Sequence, residues 1–324
     1  MRIYRQLADF TAPTAPVVAT IGNFDGMHLG HQGVIGEVIE RARFLGGQAL
    51  AITFDPHPAR VLRPHQPHTL ITPLPGKLEL LAATGIDATL VLPFTEAFCH
   101  LTAREFATSI LVNAIHVTEV HEGENFRFGY HAEAGIDGLE ALGRELGFSV
   151  TVYAPRIVRG APVSSSRIRK LISGGAFSDK NALSHARALL GRPFAVESTP
   201  APGRGYVARY AVPTINLAPY TELLPANGVY ITTLAVGSGD NAELFDAITN
   251  VGNRPTFGAD SFAVESHLLN FHPLDLTEQT PLRLTFLLRL RAEQRFPSPD
   301  ALRTQILHDV ARARRYFSLC RKLS

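Results

Sequence analysis

The chain has 324 residues and a mass of 35.3 kDa, about twice the length of a typical ~150-residue domain, so we expect two domains. Apolar residues make up 45% of the sequence and charged residues 19%, which is typical of a globular protein and excludes disordered and fibrous classes. Thirty-one basic and 29 acidic residues leave a formal charge of +2, too small to predict binding to nucleic acid or to an anionic membrane.

Cysteine usage and hydropathy bear on the cellular compartment. Cys99 and Cys320 are the only cysteines, so neither a disulfide framework nor a thiolate metal cluster is expected. The N-terminal residues lack the pattern of a signal peptide, and no apolar run approaches the ~20 residues that span a bilayer. We therefore expect a cytoplasmic protein without a membrane segment.

In the first half of the chain, short β-branched runs alternate with segments of helical periodicity. The predicted strands are Val17–Ile21, Ala49–Phe54, Thr89–Leu92, Val117–His121 and Ser149–Tyr153. Helical spacing is found in the sets Ile35, Val38, Ile39, Ala42, Leu45 and Ile136, Leu139, Leu142, Leu146. Thr102 and Glu105 form a capping box that predicts a further helix through Phe106, Ile110 and Leu111. This order predicts an α/β domain with a doubly wound parallel sheet and a ligand site at the carboxyl ends of its strands.

In the second half, segments with period-two alternation replace the helical pattern. Apolar residues alternate with polar ones from Leu282 to Arg291, and only Leu287 breaks the rule. Further strands are predicted at Tyr230–Val236, Phe245–Val251 and Val264–Phe271, which favours an antiparallel β-barrel or sandwich. Ser298 and Pro299 start a last helix whose apolar stripe is Leu302, Ile306, Val310, Ala313 and Phe317. We place the predicted domains at 1–185 and 186–324.

The first predicted strand runs into a motif that carries chemistry. Its residues are Gly22-Asn23-Phe24-Asp25-Gly26-Met27-His28-Leu29-Gly30-His31. Two imidazoles three residues apart, beside glycines at a helix N-terminus, favour an anion pocket for phosphate. A zinc site is the weaker alternative, because no third ligand has a useful spacing. The chain has no Gly-x4-Gly-Lys-Ser/Thr phosphate loop.

With these motifs in their order, the sequence resembles the bacterial bifunctional riboflavin kinase/FAD synthetases over nearly the whole chain. Besides the Gly22–His31 motif, the first half matches at Thr53–Pro58, Gly123–Gly129 and Val163–Arg169. The second half matches at Val212–Leu217, Leu224–Tyr230, Asn250–Phe257, Val264–Phe271 and Leu290–Phe296. The resemblance implies an N-terminal nucleotidyltransferase domain that makes FAD from FMN and ATP, and a C-terminal flavokinase-like antiparallel β-barrel that makes FMN from riboflavin and ATP.

For the first domain, the resemblance also implies the roles of individual residues. His28 and His31 would bind the ATP phosphates and stabilise the transition state, and Asn125 would lie in the nucleotide and flavin pocket. The remaining implied ATP and phosphate ligands are Gly22, Asn23, Phe24, Asp25, Gly26, Gly30, Ser164, Ser165 and Arg167. For Ser164, Ser165 and Arg167, the alternative is an ordinary N-cap serine with a surface arginine. Asp55 and His57 could either shape a loop or contact substrate.

For the second domain, the resemblance implies a kinase site. Glu265 would be the catalytic base, although the alternation alone favours an outward strand residue there. Thr214 and Asn216 offer oxygen ligands of the kind that Mg²⁺ accepts beside ATP. Gly203 and Gly205 would approach phosphates. Flavin contacts are implied for Arg291 and Glu293, besides Asn125 in the first domain.

Two segments depart from the family pattern and leave alternatives open. Tyr206, Val207 and Ala211 add bulk to the glycine-rich loop at 203–212, and Leu276-Thr277-Glu278 replaces the usual Leu-Tyr-Gly. One alternative is an FAD synthetase whose barrel is a weak or silent flavin-binding module. Another is a nucleotidyltransferase that acts on a different phosphorylated substrate. The expected partners are ATP, riboflavin, FMN and FAD, with Mg²⁺ bound to ATP and flavins as substrate and product; a weak homo-oligomer is left open.

Overall fold

The computed structural model describes residues 1–174, 181–201, 214–253 and 262–323. The chain divides into two compact units, Met1–Ser165 and Ser166–Ser324, and each is described by itself. Within the described residues, no helix has both the length and the apolar character needed to cross a membrane.

The first unit alternates strands and helices. Its strands are β1 (Arg2–Tyr4), β2 (Val17–Ile21), β3 (Gln48–Asp55), β4 (Ala88–Pro93), β5 (Val117–Gly123) and β6 (Ser149–Tyr153), followed by a small hairpin of β7 (Ile157–Val158) and β8 (Ala161–Pro162). Its helices are α1 (Leu29–Phe44), α2 (Pro58–Leu62), α3 (Leu74–Ala83), α4 (Glu96–Cys99), α5 (Ala103–Phe106) and α6 (Ile136–Leu146). All five strands predicted here are confirmed, while the short edge strand β1 was not predicted.

The six main strands form one parallel sheet in the order β1-β4-β3-β2-β5-β6. Both faces of this sheet are buried. Successive residues of β2 point to opposite faces, and each face packs in a different core. Val17 and Ala19 pack in the core that includes α6, whereas Val18 packs with Ile35 and Val38 of α1. The predicted doubly wound parallel sheet is therefore confirmed.

The predicted capping box is present at the start of α5. The Thr102 backbone N–H donates to Glu105 Oε2 at 2.8 Å, and the Glu105 backbone N–H donates to Thr102 Oγ1 at 3.2 Å. After Phe106 the helix continues as a wider π-helical segment, Ala107–Ala114. Apolar spacing predicted a helix through Ile110, but it did not distinguish the two helix types.

The second unit is an antiparallel sheet whose strands are preceded in the chain by two helices and followed by a third. The helices are α7 (Ser165–Ser173), α8 (Ala182–Leu190) and α9 (Pro299–Leu323); the strands are β9 (Phe194–Ser198), β10 (Thr214–Asn216), β11 (Gly228–Val236), β12 (Glu243–Asn253), β13 (Phe262–Leu268) and β14 (Leu282–Ala292). The sheet order is β10-β13-β12-β11-β14-β9. A bridge between Pro200 and Leu217 joins the two edges of the sheet, so it curls into the predicted antiparallel barrel.

A β-bulge explains why Leu287 breaks the alternation in β14. Ile231 lies opposite Leu288, but the next residue, Thr232, lies opposite Phe286. Leu287 is therefore the extra residue of a bulge, which puts Leu288 on the face opposite to Phe286. A second bulge follows at Leu290, because Tyr230 pairs with Arg289 and Val229 pairs with Arg291.

Three buried hydroxyls cross the inner face of the barrel, and we call them the hydroxyl row. Thr249 Oγ1 lies 2.7 Å from Thr232 Oγ1 and 2.8 Å from Ser266 Oγ, on three adjacent strands. The three residues are almost completely buried. Their mutual hydrogen bonds satisfy polar groups that would otherwise destabilise the core.

Two details of the second unit differ from the prediction. The strand predicted at Val264–Phe271 ends at Leu268, where the ladder with β12 stops. Ala313 and Phe317 of α9 are buried against Val229 and Ile231, as the stripe predicts. Leu302 and Ile306, in the first turns of α9, are instead 41% and 40% exposed. Ser298 caps this helix, since its Oγ accepts the Ala301 N–H at 3.2 Å.

Candidate active sites

A cavity of about 490 Å³ opens in the first unit where β2 and β5 end. β2 and β5 are neighbours in the sheet. The next strand in the chain after β2, which is β3, lies on one side of this pair, and the next strand after β5, which is β6, lies on the other. Such a switch point is where open α/β sheets bind ligands. The residues that line the cavity include Gly22, Phe24, His28, Gly30, His31, Glu122, Asn125, Phe126 and Tyr153.

Two stacked imidazoles lie at the N-terminus of α1, in the wall of this cavity. The ring centroids of His28 and His31 are 3.6 Å apart, with an angle of 16° between the planes. His28 is the N-cap residue, and its Nδ1 accepts the His31 backbone N–H at 3.3 Å. When the His28 ring is neutral, its proton therefore lies on Nε2, which makes this nitrogen a hydrogen-bond donor.

His31 is held in the neutral form. Burial, with smaller effects from the nearby charges of His28 and Lys77, lowers the pKa of His31 well below its usual value. Its Nδ1 is buried and has no hydrogen-bond partner among the described residues. A buried polar atom without a partner in a cavity wall indicates a place where a ligand supplies the missing bond.

Small residues allow the motif to fold this tightly. A Cβ on Gly30 would lie 3.2 Å from the His28 ring, and a Cβ on Gly22 would lie 2.9 Å from the Phe24 ring. Phe24 and Met27 have positive φ angles of 47° and 39°, a conformation that costs energy outside glycine. The motif thus stores backbone strain next to the cavity.

A buried lysine that the sequence analysis did not single out fastens this loop to the sheet. Lys77 of α3 donates through Nζ to the Asn23 carbonyl at 3.1 Å and to Thr53 Oγ1 at 3.0 Å. Burial lowers the pKa of Lys77 to about 8, and the carboxylates of Asp25 and Asp55 only partly oppose the effect. Lys77 therefore positions the backbone that precedes His28.

Asp25 acts on the geometry of the same loop. Its carboxylate accepts the backbone N–H groups of Ile71 at 2.9 Å and Thr72 at 3.0 Å, and its carbonyl accepts the hydroxyl of Ser165 at 2.8 Å. Neither Asp25 nor Ser165 lines the cavity. The contacts of both residues with ATP stay predictions.

His57 and His68 lie beside Asp25, and the three side chains offer ligand atoms within 4.8 Å of one another. However, His57 Nδ1 already accepts the Ala59 backbone N–H at 3.1 Å, as the N-cap of α2. The proton of the neutral His57 ring therefore lies on Nε2, where it donates instead of binding a metal. This arrangement favours the loop-shaping role of His57.

In the second unit, the register gathers the predicted kinase residues on one sheet face. Asn216 of β10 lies opposite Glu265 of β13, and Glu265 lies opposite Asn250 of β12. Thr214 is two residues before Asn216 and opposite His267, so it shares this face. The neighbouring residue Ser266 points to the opposite face, into the core.

Comparison with known proteins identifies both units. A family model described as FAD synthetase matches residues 11–167, and one described as riboflavin kinase matches residues 190–317. The bifunctional riboflavin kinase/FMN adenylyltransferase of Pseudomonas fluorescens is 33% identical over 97% of both chains. That of Escherichia coli K12 is 32% identical over 98% of this chain and 99% of its own.

The chain belongs to the bifunctional riboflavin kinase/FMN adenylyltransferase family. A solved structure named Macrolide-efflux Protein, from Streptococcus pneumoniae, has a TM-score of 0.83 and 25% identity, covering 96% of this chain and 98% of that one. The predicted family, its order of domains and its enzyme class are therefore confirmed. The matches argue against a nucleotidyltransferase for an unrelated substrate.

In the riboflavin kinase unit, Arg291 and Glu293 already have protein partners. Arg291 Nε lies 2.8 Å from Asp309 Oδ2 on α9, and its guanidinium lies over the Phe296 ring. Glu293 accepts the side-chain N–H of Asn227 at 3.3 Å. Their flavin contacts stay predictions.

Only some of the predicted site residues line the cavity of the first unit. Gly22, Phe24, His28, Gly30, His31 and Asn125 line one cavity, whereas Asn23, Gly26 and Ser164 do not line it. Arg167 lies in the first turn of α7. Gly203 and Gly205 fall outside the described residues. The boundary predicted between 185 and 186 also stays a prediction; residues 168–189 belong to neither family match.

Sequence reasoning missed two polar residues of the adenylyltransferase unit. Lys77 is one of only four lysines and sits among apolar residues, which was a usable signal. Glu122 follows a buried strand segment and is 5% exposed in the cavity wall. A carboxyl group at the end of a buried strand is unusual enough to mark a site.

Proposed function

We propose that the cavity of the first unit is where the FMN phosphate attacks the α-phosphorus of ATP, and that the face carrying Glu265 is where riboflavin is phosphorylated. The enzyme is a bifunctional riboflavin kinase and FMN adenylyltransferase, with the adenylyltransferase first in the chain. The observation that carries the first assignment is the stacked His28–His31 pair in a cavity at the sheet's switch point.

In adenylyl transfer, an FMN phosphate oxygen forms a bond to the α-phosphorus while the bond to the β-phosphate oxygen breaks and pyrophosphate leaves. The nucleophile is already an anion, so no base is needed. The protein positions the two phosphates and stabilises the charge on the transferring group. His28 Nε2–H, His31 and the backbone N–H groups of the first turn of α1 are the donors for this purpose.

The neutral state of His31 is compatible with this role. A neutral imidazole can donate one hydrogen bond, and a bound triphosphate would favour its protonation and strengthen that bond. Ser164, Arg167 and Asn125 complete the proposal as ligands of pyrophosphate and of the nucleotide or flavin. Asp25, Ser165 and Lys77 act by positioning the loop.

In the kinase half, Glu265 takes the proton from the ribityl hydroxyl of riboflavin as that oxygen attacks the γ-phosphorus of ATP, and ADP leaves. The hydroxyl of Thr214 and the side-chain oxygen of Asn216 fit a Mg²⁺ ion, because both are neutral oxygen donors on the same face as Glu265. Mg²⁺ bound there would neutralise charge on the ATP phosphates. Thr214 and Asn216 would orient the nucleotide toward Glu265.

Two parallel incubations test the proposal. The purified protein is mixed with ATP and Mg²⁺ and either riboflavin or FMN, and the flavins are separated by chromatography over time. FMN followed by FAD in the first tube is the expected result. FAD from added FMN only would mean that the barrel is a silent flavin-binding module, and no FAD in either tube would refute the adenylyltransferase assignment. The cytoplasmic location and the oligomeric state stay predictions.

A further inference from the structure

Glu122 is a buried carboxyl group in the cavity wall that the proposed chemistry does not use. It lies near the end of β5 and is 5% exposed. The backbone pairing of β2 with β5 ends at Ala19 and Val120. Beyond that point, Glu122 Oε1 accepts the backbone N–H of Ile21 and, at 3.4 Å, the hydroxyl of Thr20. The Glu122 side chain thus supplies the hydrogen bonds to β2 at the point where the backbone pairing of β2 with β5 ends.

The two carboxyl oxygens of Glu122 have different surroundings. Oε1 accepts two hydrogen bonds, whereas Oε2 has no hydrogen-bond partner among the described residues. Because Glu122 lines the cavity, Oε2 is the oxygen left for a ligand. Burial raises the pKa of Glu122 well above its usual value and so favours the protonated, neutral carboxyl. In the protonated form the proton lies on Oε2, because Oε1 already accepts two hydrogen bonds.

We propose that Glu122 is a specificity-determining residue whose Oε2–H donates a hydrogen bond to a neutral acceptor, a ring nitrogen or carbonyl oxygen, on a heteroaromatic ring bound in this cavity. The inference rests on the proposed function, which brings two such rings to the cavity: the adenine of ATP and the isoalloxazine of FMN. Both offer acceptors of this kind, and the experiment below distinguishes them.

Charge also favours a donor over an ionised acceptor at this position. Phosphate groups bound at His28 and His31 would lie in the same cavity, where an ionised carboxylate would repel them. The neutral form avoids this repulsion and still distinguishes an acceptor atom from a C–H or N–H group. A site built around a buried donor rejects ligands that leave the donor unpaired.

Two substitutions distinguish the proposed donor role of Glu122 from its structural role as acceptor of the Ile21 N–H. Glu122→Gln keeps an oxygen for the Ile21 N–H and an N–H for the cavity, so we expect Kd values for ATP and FMN within about 3-fold of wild type. Glu122→Met has a similar volume and no donor, so the Kd of one of the two substrates should rise about 5- to 100-fold, while the other Kd stays unchanged. Formation of FMN from riboflavin is the control for an intact chain.

Ligand analogues identify the acceptor. ATP with adenine N1, N3 or N7 replaced by C–H, and FMN with N1 or N5 replaced by C–H or with a thiocarbonyl at C2 or C4, remove or weaken one acceptor at a time. One analogue should bind wild type and Glu122→Gln about 5- to 100-fold more weakly than its parent. The same analogue should bind Glu122→Met as well as its parent does.

Clear outcomes overturn the inference. Unchanged Kd values in Glu122→Met, or the same loss in Glu122→Gln as in Glu122→Met, would show that Oε2 donates to neither ring. If Glu122→Met does not fold, the analogues decide: binding of every analogue to wild type at parental affinity would overturn the inference. Absence of FAD synthesis by wild type is a separate result, which refutes the proposed function.

Discussion

Replacing Gly30 by Ala should lower adenylyl transfer without destabilising the chain. The added Cβ would lie 3.2 Å from Cε1 and Nδ1 of His28, tighter than ordinary contact, so the ring must move by a few tenths of an ångström. The ring cannot move freely, because Nδ1 holds the His31 N–H and the plane stacks on His31. Displacements of about 1 Å cost about 100-fold in rate, so we expect kcat for FAD formation to fall about 10-fold.

Gly36→Ala is the matched control. Gly36 lies in the same helix, and a Cβ there would meet nothing within 4 Å. Alanine should therefore raise the free energy of unfolding by about 0.5–1 kcal/mol through helix propensity and leave the rate unchanged. FAD formation is measured from FMN and ATP, and stability is measured by urea unfolding followed by circular dichroism. Wild-type kcat in Gly30→Ala would refute the idea that the position of the His28 ring limits catalysis.

Three further predictions concern single side chains. His31→Ala should abolish FAD formation and leave FMN formation from riboflavin intact; loss of both activities in a folded variant would contradict independent sites. Glu265→Gln should slow FMN formation about 10²- to 10⁴-fold while FAD formation from added FMN is unchanged, and equal kinase rates would exclude a base role. Because the pKa of Lys77 falls from near 10.5 to about 8 on folding, the unfolded chain binds more protons between these values, and stability rises with pH there. Wild type should therefore gain about 2 kcal/mol over Lys77→Met between pH 7.5 and pH 10 in urea unfolding, and a constant difference would contradict the burial of a charged Lys77.

Much of the fold could be predicted from local patterns. The strands of the first sheet are continuous apolar runs, since both faces of β2 are buried, and the capping box at Thr102 marks a helix start. Very short elements were missed, because β1 and β10 have only three residues each and show no periodicity. Leu287 looked like an irregularity because a bulge depends on the partner strand, which the local sequence does not contain.

The residues of the candidate site also differ in how far the local sequence predicts them. His28 and His31 could be predicted because they interact at a spacing of three residues, and the backbone N–H bond that orients them is local. Lys77 and Glu122 stand out in the sequence as polar residues in apolar surroundings, but their contacts could not be predicted, because their partners lie 54 and 101 residues away in the sequence. The predicted set Thr214, Asn216 and Glu265 came from the family resemblance, and the strand register explains how distant positions share one face.

The hydroxyl row constrains how the barrel sequence can drift. Each hydroxyl has one proton, so Thr249 can donate to only one of its neighbours, Thr232 or Ser266, and can accept from the other. Loss of the central hydroxyl strands both outer groups in the core, whereas loss of an outer hydroxyl leaves one bond intact. Replacing all three by apolar residues of similar shape removes the orphaned groups altogether. Among related barrels, these three positions should therefore change together. A substitution of the central residue, Thr249, alone should be the least tolerated.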